Sequence, residues 1–172
     1  MKPIEDYRTL DDNGIMMPWY VRPLLEILET WDFNAKNIFE FGCGDSTFWY
    51  RSRGAMTSGA ESNPEWAAKV GYDVIQDRTS YLERINTLMG YDIVIIDGDY
   101  RDDCIEYAFY YLKSTGIIIL DNWLQPEVCE EWPKTEKFIK SMKLNLKVFS
   151  EPEHPSWKTA VVYGKKNNPF GE

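Results

Sequence analysis

Between Asp92 and Asp97 stand four consecutive aliphatic residues, Ile93-Val94-Ile95-Ile96. Side chains alternate across a strand, so an unbroken run puts apolar groups on both faces. Such a strand needs cover on both sides, as in the centre of a parallel sheet. The flanking pattern agrees. Strand-like segments at Asn37–Phe41, Ala55–Glu61, Tyr72–Gln76 and Gly116–Leu120 alternate with helix-like segments. The helices are expected from Asp45 (or Ser46 as cap) to Arg53, from Asn63 to Val70, from Thr79 or Ser80 to about Met89, and from Asp102 to Lys113. After Asp121 an irregular segment framed by Pro126 and Pro133 leads to a helix over Lys134–Met142. Two last strands, Leu146–Phe149 and Thr159–Tyr163, are joined by a polar loop, Ser150–Lys158, with no helix between them. The expectation is a doubly wound α/β, Rossmann-like, mostly parallel seven-stranded sheet with an antiparallel last strand. Residues 1–36 lie outside the alternation. Their apolar helix, with Leu24, Leu25, Ile27 and Leu28, is expected as an N-terminal lid or brace on a cofactor-binding domain of residues 37–172. It also offers a face for a homodimer.

Length and charge narrow the function. A chain of 172 residues suits one compact domain. No apolar run reaches the roughly 18–20 residues that span a bilayer, and Met1–Asp6 lacks the apolar core of a signal peptide, so a cytoplasmic protein is expected. The net charge of −9, with no Lys/Arg cluster, disfavours nucleic-acid and membrane partners. Cys43, Cys104 and Cys129 are odd in number and widely spaced, consistent with reduced thiols. His154, the one histidine, reads as a loop residue with a base role as the alternative.

The strand Asn37–Phe41 runs into Glu40-Phe41-Gly42-Cys43-Gly44-Asp45-Ser46 and then a helix. Glycines there let backbone approach a ligand closely. In open α/β sheets ligands lie beyond the carboxyl ends of the strands, and all five expected ends carry an acid: Glu40, Glu61, Asp77, Asp97 and Asp121. Glu61 follows Gly44 by 17 residues, near the spacing of a ribose-binding carboxylate. A dinucleotide fingerprint needs a third glycine where Thr47 stands, and no Gly-Lys-Ser/Thr phosphate loop is present. A cationic sulfonium with a free amino group suits a cradle lined by carboxylates.

Glu40-x-Gly42-x-Gly44-x-Ser46, Glu61 and Asp77 together resemble the cofactor motifs of the class I S-adenosylmethionine-dependent methyltransferases, over roughly Asn37 to Tyr163. The resemblance implies that Glu40, Gly42, Gly44 and Ser46 lie by the methionine part, Glu61 by the ribose and Asp77 by the adenine. Asp97 would stand near the cofactor amino group.

Asp97-Gly98-Asp99-Tyr100-Arg101 and Asp121-Asn122-Trp123 are the second constellation. If their strands are neighbours, Asp97, Asp121 and Asn122 converge as hard oxygen ligands suited to Mg²⁺. The triplet resembles the metal site of the catechol-type O-methyltransferases, and Ile96-Asp97-Gly98-Asp99-Tyr100 resembles an Asp-Gly-Asp-His motif of small bacterial methyltransferases. A lysine base of the former is replaced by Tyr100, as is the histidine of the latter. Asp97, Asp99, Tyr100 and Arg101 are therefore the catalytic candidates, as base or as anchor for an anionic acceptor. A catalytic role without metal, and plain turn-capping by Asp121-Asn122, stand beside the metal reading. Trp19, Tyr20, Trp123 and Trp157 are candidate pocket walls or core residues. The function implied is methyl transfer from S-adenosylmethionine to an oxygen of a small-molecule or sugar-like acceptor, with or without Mg²⁺. The alternatives are a non-catalytic cofactor-binding or scaffold protein and an NAD-dependent oxidoreductase.

Overall fold

The computed structural model describes residues 10–11, 13–86, 90–125 and 132–171. Six strands form one sheet in the order β2-β1-β3-β4-β6-β5. They are β1 (Asn37–Phe41), β2 (Met56–Ala60), β3 (Tyr91–Ile96), β4 (Leu112–Leu120), β5 (Asn145–Glu151) and β6 (His154–Tyr163). β1 pairs in parallel with both β2 and β3, and β3 with β4, while β6 runs antiparallel to β4 and β5. The chain builds outward from β1 to β2 and then crosses back to β3. The order therefore reverses between β1 and β3, where a doubly wound sheet opens its ligand crevice.

The aliphatic run of β3 is buried on both faces. Val94 and Ile96 join Phe39, Phe41, Ile118 and Leu120 under the helices α4 (Arg78–Glu83), α5 (Arg101–Tyr110) and α6 (Pro133–Met142). Ile93 and Ile95 join Ile38, Ile117 and Ile119 under α1 (Arg22–Leu28) and α2 (Asp45–Ser52). The N-terminal helix thus supplies part of one covering layer: Leu24, Leu25 and Leu28 are all buried there.

The seventh strand, expected at Tyr72–Gln76, reduces to a single bridge between Glu61 and Val74. The segment is squeezed between two helices. Tyr72 still spends its N–H on closing α3 (Pro64–Val70), through Ala67 O at 2.9 Å, and Asp77 already caps α4. Too few residues remain free to pair, and Val74 stays 46% exposed at the edge. The expected loop Ser150–Lys158 also contracts. β5 extends to Glu151 and β6 starts at His154, with a register shift at Ser150/Glu151. Pro155 falls inside that shift, where no ladder bond needs its missing N–H. At α2 the cap is Gly44, because Ser46 turns its hydroxyl onto Glu40 and Asp45 pairs with Lys69. Asn63 caps α3 as expected, accepting from Glu65 N at 2.9 Å. Met89, Pro126 and Cys129 lie outside the described residues. Among those described, no helix is long and apolar enough to cross a membrane.

Candidate active site

The carboxyl ends of β1 and β3 touch. Gly42 has φ +88°, and a Cβ built on it would lie 2.5 Å from Gly98 N and 2.6 Å from Gly98 Cα. A Cβ on Gly98 would meet the Tyr81 hydroxyl at 2.1 Å and Gly42 Cα at 2.7 Å. Two glycines are needed because two backbones and a phenol converge on one point. Gly44 is different: its φ is −168°, ordinary extended backbone, and a Cβ there would rest 3.6 Å from the Trp66 ring.

Glu40, two residues before Gly42, is fully buried. Oε2 accepts from the Ser46 hydroxyl, and Oε1 is buried with no hydrogen-bond partner among the described residues. Burial pushes the carboxyl up to about 7, against the Ser46 and Thr47 hydroxyls, which favour its anion. A buried acid with an unspent oxygen, beside a turn that admits no Cβ, fits a cationic ligand group. Glu61 is buried as well, but both its oxygens are engaged. Oε2 accepts from Cys43 N at 2.6 Å and Oε1 from Asn63 N at 2.7 Å. Glu61 thereby ties the glycine turn to the start of α3. Asp77 stands exposed at the N-terminus of α4, where the Ser80 N–H, 2.8 Å away, holds its carboxyl below the usual range.

Asp97, Asp121 and Asn122 do come together, at the ends of the adjacent strands β3 and β4. The cation between them is Arg101. Its Nε donates to Gly98 O (2.9 Å), Nη1 to Asp121 O and to Asn122 Oδ1 (both 2.9 Å), and Nη2 to Asp97 O (2.7 Å) and Asp97 Oδ1 (3.0 Å). A guanidinium carries five N–H groups, and all five are engaged. Asn122 reaches Arg101 from a left-handed backbone, φ 51°, which asparagine tolerates. Among the described residues no group of three or more His, Cys, Asp or Glu side chains is arranged to hold a metal ion. Asp97 Oδ1 and Asn122 Oδ1 are already spent on Arg101, and a divalent ion added between these residues would sit against its positive charge, so the site as it stands does not fit one.

Burial raises the Asp97 carboxyl, the Asp121 charge raises it further, and Arg101 opposes both. Asp97 keeps 36% of its side chain exposed, and its Oδ2 takes no hydrogen bond from the described residues. Asp121 is buried and also raised, with the Thr159 hydroxyl donating to its Oδ1 at 2.7 Å. Thr159 Oγ1 in turn accepts from Val21 N at 3.3 Å, which links the N-terminal segment to the site. Asp99 accepts from the Ser62 hydroxyl at 2.7 Å, and Tyr100, in a left-handed conformation at φ 53°, packs edge-on against Tyr81. A groove of about 370 Å³ lined by Gly98–Asp103 and Lys134 opens beside them.

Thr159, Tyr81 and Gly98 escaped sequence reasoning. Gly98 had a signal, a glycine directly after a strand-end acid; the other two become visible only through tertiary contact. Tyr20 and Trp123 are buried, the latter against Trp132, whereas Trp19 is largely exposed. His154 lies in β6 and stacks on Trp157 at 4.5 Å. Cys43 and Cys104 are buried, and burial pushes both thiols far up.

No family model and no curated protein matches the chain. Solved structures do. A protein assigned as a caffeoyl-CoA O-methyltransferase of Staphylococcus aureus superposes with TM-score 0.62 at 17% identity, covering 86% of each chain. An O-methyltransferase of Bacillus cereus, solved with S-adenosylhomocysteine, gives TM-score 0.57 at 16% identity, over 81% of this chain and 77% of its own. A protein assigned as an rRNA methylase of Clostridium thermocellum gives 0.58 at 10% identity, over 85% of this chain and 96% of its own. What they share with this chain is the fold, the Rossmann-like, mostly parallel α/β sheet expected from the sequence.

Proposed function

We propose that this chain is an S-adenosylmethionine-dependent methyltransferase that methylates an oxygen of a small-molecule acceptor. The observation that carries the reading is Glu40, a buried carboxylate with an oxygen unpartnered among the described residues, on β1 just before the Gly42–Gly98 contact at the strand-order reversal. When bound, S-adenosylmethionine supplies an electrophilic methyl group on a sulfonium. Glu40 would receive its ammonium group, the Gly42–Gly44 turn would pass beneath its methionine part, and Glu61 and Asp77 would border ribose and adenine. Glu61 accepts one N–H at each oxygen, which leaves further lone pairs for ribose hydroxyls.

Displacement at a methyl group asks the protein mainly for positioning and for removal of one proton. Of the four catalytic candidates, Asp97 combines partial exposure with an oxygen that takes no hydrogen bond among the described residues, so it is assigned as proton acceptor from the attacking hydroxyl. Asp99 is held by Ser62, and Arg101 has no N–H left to bind an anion. The net charge of −9 supports a small acceptor over a phosphate backbone. Residues 37–172 act as the cofactor-binding domain in this reading, with residues 1–36 bracing it.

Calorimetric titration with S-adenosylmethionine, S-adenosylhomocysteine and NAD tests the reading. Saturable binding of both adenosyl ligands, weakened at least tenfold in Glu40→Ala, is expected. Binding of NAD alone would point to an oxidoreductase, and binding of none of the three would defeat the assignment.

A further inference from the structure

The guanidinium of Arg101 is surrounded by oxygen. Gly98 O, Asp97 O, Asp121 O, Asn122 Oδ1 and Asp97 Oδ1 all lie within 2.7–3.0 Å of its nitrogens. Three main-chain carbonyls, one carboxamide and one carboxylate make a hard-oxygen shell of the kind that holds Ca²⁺, Mg²⁺ or Mn²⁺. Here the shell is filled from within the chain. The Arg101 side chain is only 14% exposed, and its fork geometry matches several acceptors at once, which a point charge cannot do. A divalent ion would have to displace it or bind against its positive charge.

We infer that Arg101 is the resident cation of this site: a positioning residue that joins the ends of β3 and β4, orients Asp97 and Asn122, and makes a bound metal unnecessary. It touches no reacting atom itself. It acts by holding Asp97 through Oδ1 so that Oδ2 remains available. Removing the guanidinium would release five oxygens around a vacated position, and the variant would gain the affinity for a hard divalent ion that the natural chain lacks.

The inference deepens the reading of the same strand-end site, but its test needs no methyl acceptor. Electron paramagnetic resonance of Mn²⁺ is recorded with the full chain, with Arg101→Ala and with Arg101→Ala/Asp97→Asn. The natural chain is expected to leave the spectrum of free aqueous Mn²⁺ undiminished up to about 1 mM protein, apart from weak surface binding that Asp97→Asn does not change. Arg101→Ala is expected to bind one Mn²⁺ at least tenfold more tightly, and the added Asp97→Asn to abolish that gain. Should Arg101→Ala fail to fold, Arg101→Gln keeps most of the buried stem and adds an amide oxygen to the shell, and the same gain is expected of it. Stoichiometric Mn²⁺ binding by the natural chain that Asp97→Asn removes would overturn the inference. So would a folded Arg101 variant that gains no Mn²⁺ site. Adenosyl-ligand titration on the same preparations separates this failure from failure of the methyltransferase reading.

Discussion

Gly42 and Gly44 look equivalent in the sequence, yet the structure predicts very different costs for giving each a methyl group. In Gly42→Ala the residue must keep φ near +88°, a left-handed conformation that costs an L-residue about 1–2 kcal/mol. The new Cβ would also sit 2.5 Å from Gly98 N and 2.8 Å from Asp97 C, and neither is a flexible side-chain end that can swing away. Forcing a methyl into a packed site typically costs about 1–3 kcal/mol. The sum is roughly 2–5 kcal/mol, a large share of the stability of an ordinary domain (about 5–15 kcal/mol). With a urea slope of about 2 kcal/mol/M, the midpoint should fall by roughly 1–2.5 M. Gly44→Ala needs no change of φ, and its Cβ meets Trp66 at an ordinary 3.6 Å. Only the poorer helix cap remains, at less than about 1 kcal/mol. Equilibrium urea unfolding of both variants, followed by tryptophan fluorescence, checks this. Equal midpoints for the two, or a natural midpoint for Gly42→Ala, would refute the argument that the ends of β1 and β3 are in backbone contact.

Glu40 makes the empty protein pH-sensitive. Its folded value of about 7 lies above the ordinary 4.5, so the folded state holds the proton more tightly than the unfolded chain. This stability is complete below about pH 4.5 and is lost as pH rises through 7, by about 3 kcal/mol, and Glu40→Gln should remove that dependence in urea titrations at pH 5 and pH 8. Ionised Glu40 is the form that binds a cation, so affinity for S-adenosylhomocysteine should rise between pH 6 and 8 with release of a proton, readable by calorimetry in two buffers of different ionisation heat. Thr159→Val removes the hydroxyl that donates to buried Asp121 and accepts from Val21 N, and a loss of about 1–3 kcal/mol in urea unfolding is expected. Peptide mapping after brief iodoacetamide treatment at pH 8 should find Cys43 and Cys104 unmodified in native protein and modified in urea, since burial suppresses both thiolates.

Legibility differed from residue to residue. The strand containing Ile93–Ile96 was readable because period-two alternation and a doubly buried run are local properties of the chain. Glu40, Asp97 and Asp121 were readable for the same reason: each follows directly on apolar residues. Tyr72–Gln76 misled because its propensity is strand-like, while the closing of α3 and the capping of α4 compete for its backbone. From the sequence, Asp97, Asp121 and Asn122 suit a metal ion, a metal-free role or a plain turn cap; in the fold they meet a guanidinium. The sequence could not show that the cation is Arg101, because a long side chain can point to solvent or back across two strand ends.

By itself, then, the chain determined the alternation of elements, the central buried strand and the row of carboxylates at one end of the sheet. Those follow from spacing and side-chain polarity alone. Tertiary structure decided which of those carboxylates keep an oxygen to offer. Glu40 and Asp97 do, whereas both oxygens of Glu61 carry backbone N–H groups and Asp77 caps a helix in solvent. The difference is physical: an acid's role depends on which donors lie within about 3 Å of it. Those donors come from distant parts of the chain, Thr159 for Asp121 and Cys43 for Glu61, which only the folded sheet brings together.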